Sequence, residues 1–86
     1  MIRVRCYGHI GTSVGSAEVT LEDMELDSAQ LVDKVRGMAA AGPDPGFNRY
    51  NTLVMVDEGE AFVPAGSRRT VRDGARVALI PFSHGG

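Results

Sequence analysis

The sequence predicts an α+β domain, a mixed sheet of about five strands with one main helix packed on one face. Three observations carry this. Apolar residues alternate with period two near both ends of the chain, at 2–6 and 76–82. Only one stretch, beginning after Asp27, spaces its apolar residues at helical intervals. Glycines, prolines and an Asp-Gly pair cut the rest into short segments. One helix covers one face of a sheet, so the other face should stay open to partners.

Taken in order, Ile2, Val4 and Cys6 alternate with Arg3, Arg5 and Tyr7, which marks a half-buried strand. Gly8, Gly11 and Gly15 make 8–15 a loop by composition. Ala17, Val19 and Leu21 alternate with Glu18, Thr20 and Glu22, so the first two strands form an antiparallel hairpin. Asp27 stands where it can cap a helix, and Gln30 three residues on completes a capping box. Leu31, Val35 and Met38, with Val32 and Ala39 beside them, form the apolar stripe, so Met38 is expected in the core. Gly42 and Pro43 supply the stop, and 42–51 is loop by composition.

Residues 53–56 then read as a short strand, Asp57-Glu58-Gly59 as a turn, and Ala61-Phe62-Val63 as a weaker strand. Pro64-Ala65-Gly66 turns again. Val71-Arg72-Asp73-Gly74 leads into a tight turn before a last strand that starts at Arg76. Its alternation puts Val77 and Leu79 on one face and Ala78, Ile80 and Phe82 on the other. If the first and last strands pair, Tyr7 and Ile80 share the exposed face, a partner surface rimmed by Arg3 and Arg5.

Length and composition narrow the function classes. With 86 residues the chain is one domain, read as 1–80 followed by a flexible tail over 81–86. A net charge of -2 argues against a general nucleic-acid binder. No apolar run is long enough to cross a membrane, and the N-terminus lacks the apolar core of a signal peptide. A single cysteine excludes an internal disulfide and fits the reducing cytoplasm.

The tail ends on Gly85-Gly86. Pro81 has no N–H to donate and is expected to end strand pairing. From there the extended chain could reach about 20 Å beyond the sheet. Two residues without Cβ let a carboxylate pass where any side chain would collide. A chain end presented this way reads as a substrate for another enzyme's active site.

Other chemistry is sparse. His9 and His84 are the only histidines and Cys6 the only thiol, at no spacing that indicates a metal site. No Ser-His-Asp arrangement or phosphate loop is visible. Cys6 faces inward and reads as an inert buried thiol. Arg68 and Arg69 read as a solvated turn, and Lys34 is the only lysine.

The opening Met1-Ile2-Arg3-Val4, the helix after Asp27, and the run Val71 through Pro81 with its Gly-Gly ending resemble a known family. These are the ubiquitin-like β-grasp sulfur carriers, and the chain is most like the small subunit of molybdopterin synthase. The thiamin-pathway sulfur carrier and the archaeal ubiquitin-like small modifiers are relatives in the same class. Two departures stand out. Val56-Asp57-Glu58-Gly59 replaces the family's common Val-Asn-Gly turn, and Pro81-Phe82-Ser83-His84 replaces two prolines and a small residue.

The resemblance implies that Gly86 is adenylated by an adenylyltransferase like the ubiquitin-activating enzymes, which holds the ATP and magnesium. The product becomes a thiocarboxylate, and its sulfur passes to a precursor on a large synthase subunit or another acceptor enzyme, with molybdopterin and hence the molybdenum cofactor as the implied outcome. This chain would be non-catalytic and bind no cofactor. Gly85, His84 and Phe82 would occupy the partner's channel, and Tyr7, Ile80, Arg3 and Arg5 its interface. The alternative is a ubiquitin-like modifier joined through Gly86 to lysines of target proteins, which needs the same activated carboxylate.

Overall fold

In the computed structural model, which describes residues 1–39, 46–57 and 62–82, the alternating segments near the two ends of the chain lie side by side. The chain begins with β1 (Ile2–Cys6), α1 (His9–Val14), β2 (Glu18–Leu21), β3 (Glu25–Asp27) and α2 (Ser28–Gly37). It continues through β4 (Thr52–Val56), β5 (Val63–Pro64), a short 3-10 turn (Ala65–Ser67), β6 (Thr70–Arg72) and β7 (Arg76–Pro81). Five strands form the main sheet in the order β2-β1-β7-β4-β5, and β3 pairs with β6 in a second, two-stranded sheet. β1 and β7 run parallel, while every other pair is antiparallel. The mixed sheet and single main helix agree with the α+β architecture expected from the sequence.

Register follows hydrophobicity. Val4 sits opposite Val77 and Cys6 opposite Leu79, while Val54 and Val56 meet Leu79 and Val77 from the other side. These inward residues form one buried cluster with Ile2, Leu21 and the α2 residues Leu31, Val32 and Val35. A one-residue slip would turn the whole set toward water, so the register is strongly specified.

The α2 N-terminus carries the expected capping box. Asp27 Oδ1 accepts the Gln30 N–H at 2.8 Å, and Gln30 Oε1 accepts the Asp27 N–H at 3.0 Å. Beside it, the buried Ser28 hydroxyl donates to the Ala65 carbonyl at 2.7 Å and accepts the Arg69 N–H at 2.9 Å. These two bonds tie the helix start to the turn before β6.

Four sequence expectations need correction. Residues 8–15 are not loop: His9–Val14 is a helical turn with Ile10 fully buried. Its glycines have structural jobs. Gly15 closes the helix in the left-handed region at φ 84°, its N–H bonded to the Gly11 carbonyl. A Cβ on Gly11 would stand 2.8 Å from the Cys6 carbonyl oxygen, so only glycine lets α1 lie this close to the end of β1.

Met38 is not core. It is the helix C-cap and is 44% exposed, because α2 ends at Gly37, a poor helix former. The expected stop at Gly42–Pro43 therefore comes too late, and those two residues lie outside the described ones. Within the segment read as loop, Phe47 is among the largest fully buried side chains. Finally, Pro81 ends the β7 ladder as expected, opposite Thr52, but the sheet reaches past residue 80. The Phe82 N–H donates to the Asn51 carbonyl at 3.0 Å, so the chain is held to the sheet edgewise through Phe82, two residues past the expected boundary at 80.

Candidate functional site

The outward residues of the three central strands form a graded surface. β7 is in the middle, presenting Arg76, Ala78 and Ile80, with β1 presenting Arg3 and Arg5 on one side and β4 presenting Leu53 and Met55 on the other. Cross-strand register aligns these into rows. Arg3 lies opposite Arg76; Arg5 and Met55 both lie opposite Ala78; Leu53 lies opposite Ile80. The Tyr7 N–H donates to the Leu79 carbonyl at 3.0 Å, which puts Tyr7 beside the Ile80 row.

Successive rows are about 6.6 Å apart, so the face changes character over a short distance. Toward the end of β7 it is apolar, with Tyr7 43% exposed and Leu53, Ile80 and Phe82 half-buried. Toward the start of β7 it is basic, with Arg3, Arg5 and Arg76 all exposed. A shallow concavity of about 330 Å³ lies in the basic half, lined by the three arginines with Tyr7, Met55 and Ala78. Glu18 and Asp57 also contribute to its wall.

Asp57 follows the end of β4. It adopts the left-handed region at φ 61°, which Asp tolerates better than most residues. Its N–H donates to the Arg76 carbonyl at 2.6 Å and its Oδ1 accepts the Arg76 N–H at 3.2 Å. The carboxylate thereby continues the β4–β7 ladder past Val56.

The structure places the candidate residues unevenly. Arg3, Arg5, Tyr7, Ile80 and Phe82 are described, the first four on one face of adjacent strands. His84, Gly85 and Gly86 lie outside the described residues. Arg76 and Met55 were not singled out from the sequence, although the alternation of Arg76 with Val77 and of Met55 with Val54 and Val56 carries the signal.

Elsewhere, Arg68 forms an ion pair with Asp27 at 3.3 Å, and Lys34 one with Asp23 at 2.6 Å. Cys6 is buried, and burial pushes its thiol above the ordinary value. Cys6 should therefore resist an aromatic disulfide reagent in the folded protein and react at once in denaturant; rapid reaction of the native thiol would contradict its burial. A raised folded-state value also means that Cys6 favours folding below the unfolded thiol's range. That contribution is lost as pH rises through the folded value.

No protein-family model and no curated protein sequence matches this chain. Two crystal structures of small archaeal modifier protein 1 from Haloferax volcanii are similar in three dimensions. One superimposes with a TM-score of 0.65 at 19% identity, covering 95% of this chain and 97% of that one. The other gives 0.63 at 21% identity, covering 99% and 98%. With the helix α2 and the mixed sheet around β1 and β7, this near end-to-end agreement shows that the chain has the ubiquitin-like β-grasp fold.

Proposed function

We propose that this chain is a non-catalytic sulfur carrier acting in the cytoplasm. Gly86 is the reactive end: its carboxylate attacks the α-phosphate of ATP on an activating partner, forming an acyl-adenylate and releasing pyrophosphate. A sulfur nucleophile then displaces AMP and leaves a thiocarboxylate. ATP and magnesium belong to the partner, and the sulfur is delivered on an acceptor enzyme to a precursor, with molybdopterin as the product.

The observation that carries this reading is the position of β7. It is the middle strand of the sheet, bonded on both sides, and it leads directly through Phe82 to Ser83-His84-Gly85-Gly86. The Gly-Gly end is thus launched from the best-held strand, beside an open face suited to a partner. Phe82, His84 and Gly85 enter the partner's channel, and Tyr7 and Ile80 seat the carrier with Arg3 and Arg5 at the rim.

Changing Ile80 to Asp is expected to weaken docking by about 2 kcal/mol or more, as for a central interface anchor. Tyr7→Ala, at an exposed position, should weaken it without altering the melting temperature. Calorimetric titration against the sulfur-accepting enzyme measures both, and unchanged affinity in both variants would move the interface elsewhere.

A second reading, a protein modifier attached through Gly86 to target lysines, draws support from the fold neighbours, whose own names describe modifiers. Tagged protein in denatured cell extracts separates the two. Heavier covalent species support the modifier, and their absence supports the carrier.

A further inference from the structure

Two sets stand out among the eight arginines. Arg49, Arg68 and Arg72 form ion pairs with Asp33, Asp27 and Glu25. Arg3, Arg5 and Arg76 differ: among the described residues none of their guanidiniums forms an ion pair, although all three line one concavity.

Their arrangement carries a cost. Arg3 stands directly opposite Arg76 in the parallel β1–β7 pair, and like charges directly opposite on a sheet destabilise it. The nearby carboxylates do not offset this. Asp57 is engaged by the Arg76 backbone N–H, and Glu18, in register with Arg5, forms no ion pair with it among the described residues. General basicity is no explanation either, because the chain's net charge is -2.

We infer that the basic half of the outer sheet face recognises an acidic segment of a partner protein, one in which carboxylates flank an apolar side chain. The guanidinium fork matches a carboxylate in two-point contact. Met55 on β4 and Ala78 on β7 supply an apolar floor beside Arg5, and Tyr7 continues it toward Ile80. The partner's carboxylates would offset the like charges that Arg3 and Arg76 bring side by side. This rests on the outer face being the docking surface proposed above, and it involves no chemistry at Gly86.

Nuclear magnetic resonance on the labelled full-length protein tests it with two peptides. One is acetyl-Glu-Asp-Leu-Phe-Asp-Glu-amide; the other replaces each acid by its amide. The acidic peptide should give saturable shifts centred on Arg3, Arg5, Tyr7, Met55, Arg76 and Ala78, and the amide peptide should bind at least about tenfold more weakly. Raising NaCl from about 0.05 M to about 0.5 M should weaken the acidic peptide by at least about tenfold. Arg5→Gln should abolish saturation, and Arg5→Lys should retain part of it, with unchanged melting temperatures.

Equal binding of both peptides, shifts centred elsewhere, or no saturation at millimolar peptide would overturn the inference. Inorganic phosphate reproducing the same shifts at the same affinity would do so too, by showing a simple anion site. Deleting Gly85 and Gly86 should leave the titration unchanged. Failure of the tail chemistry and failure of this site are therefore read separately.

Discussion

A protein with one residue appended after Gly86 is expected to fold normally and to lose adenylate formation by at least about a hundredfold. Two magnitudes set this expectation. One extended residue moves the chain end by about 3.5 Å, whereas a misplacement of about 1 Å from a reactive geometry already costs about a hundredfold. The chain cannot slide back to compensate. It is held to the sheet through Phe82, whose N–H is bonded to Asn51, and Pro81 lies in register with Thr52. Four residues, Ser83-His84-Gly85-Gly86, follow Phe82 in the sequence. Melting temperature should not move, because the addition lies four residues past Phe82, which makes the last sheet contact among the described residues. Adenylation is read as ATP-dependent pyrophosphate exchange with the activating enzyme. Exchange at the unmodified rate would show that Gly86 is not the reacting group.

Replacing Phe47 by Ala should cost about 3–5 kcal/mol of folding stability. Phe47 is 1% exposed and belongs to the cluster that includes Leu31, Val54 and Leu79. A small turn drives it inward. Asn51 Oδ1 accepts the Asn48 N–H at 2.7 Å, while Asn48 Oδ1 accepts the N–H groups of Tyr50 at 2.8 Å and Asn51 at 3.1 Å. That turn fixes the chain before β4, so the site cannot collapse easily around a smaller residue. Set against a typical stability of about 5–15 kcal/mol, the loss brings a domain of this size close to unfolding. The melting temperature should fall by at least about 12 °C. Met24→Ala, at a position 71% exposed, serves as the control and should stay within about 0.5 kcal/mol. A Phe47→Ala loss under about 1 kcal/mol in urea unfolding would contradict the placement of this ring in the core.

The two cases show what the sequence could and could not reveal. β1, β7 and α2 were legible because each is half-buried along its length, so burial leaves a period of two or 3.6 in the residues. The α2 cap was legible because Asp27 and Gln30 act within one turn. β3 and β6 were not, since a three-residue strand has a single inward residue, Leu26 or Val71, and no period to read. α1 was hidden by its own glycines: the residues that permit a tight cap at Gly15 and close approach at Gly11 are the ones that ordinarily signal loop. Phe47 was missed because its burial depends on a fold-level contact made from within a polar segment. Met38 was misassigned because the helical stripe continues on paper beyond Gly37, where the helix stops.

The proposed docking face was partly legible in the same sense. Alternation alone sends Tyr7, Arg3 and Arg5 to one side of β1, and Ile80 and Ala78 to one side of β7. Joining the two sets required the parallel pairing of strands more than 70 residues apart, Arg3 with Arg76 among them. Arg76 gains its meaning only from that register, since in the sequence it is one arginine among several. The tail's chemistry rests on composition and on where β7 leads.

The most direct test of the carrier account is an intact-mass spectrum of the protein purified from its own cells. The account predicts a species in which one oxygen of the Gly86 carboxylate is exchanged for sulfur. An unmodified carboxylate, with Gly86 found instead in amide linkage to lysine side chains of other proteins, would contradict it and make the chain a modifier.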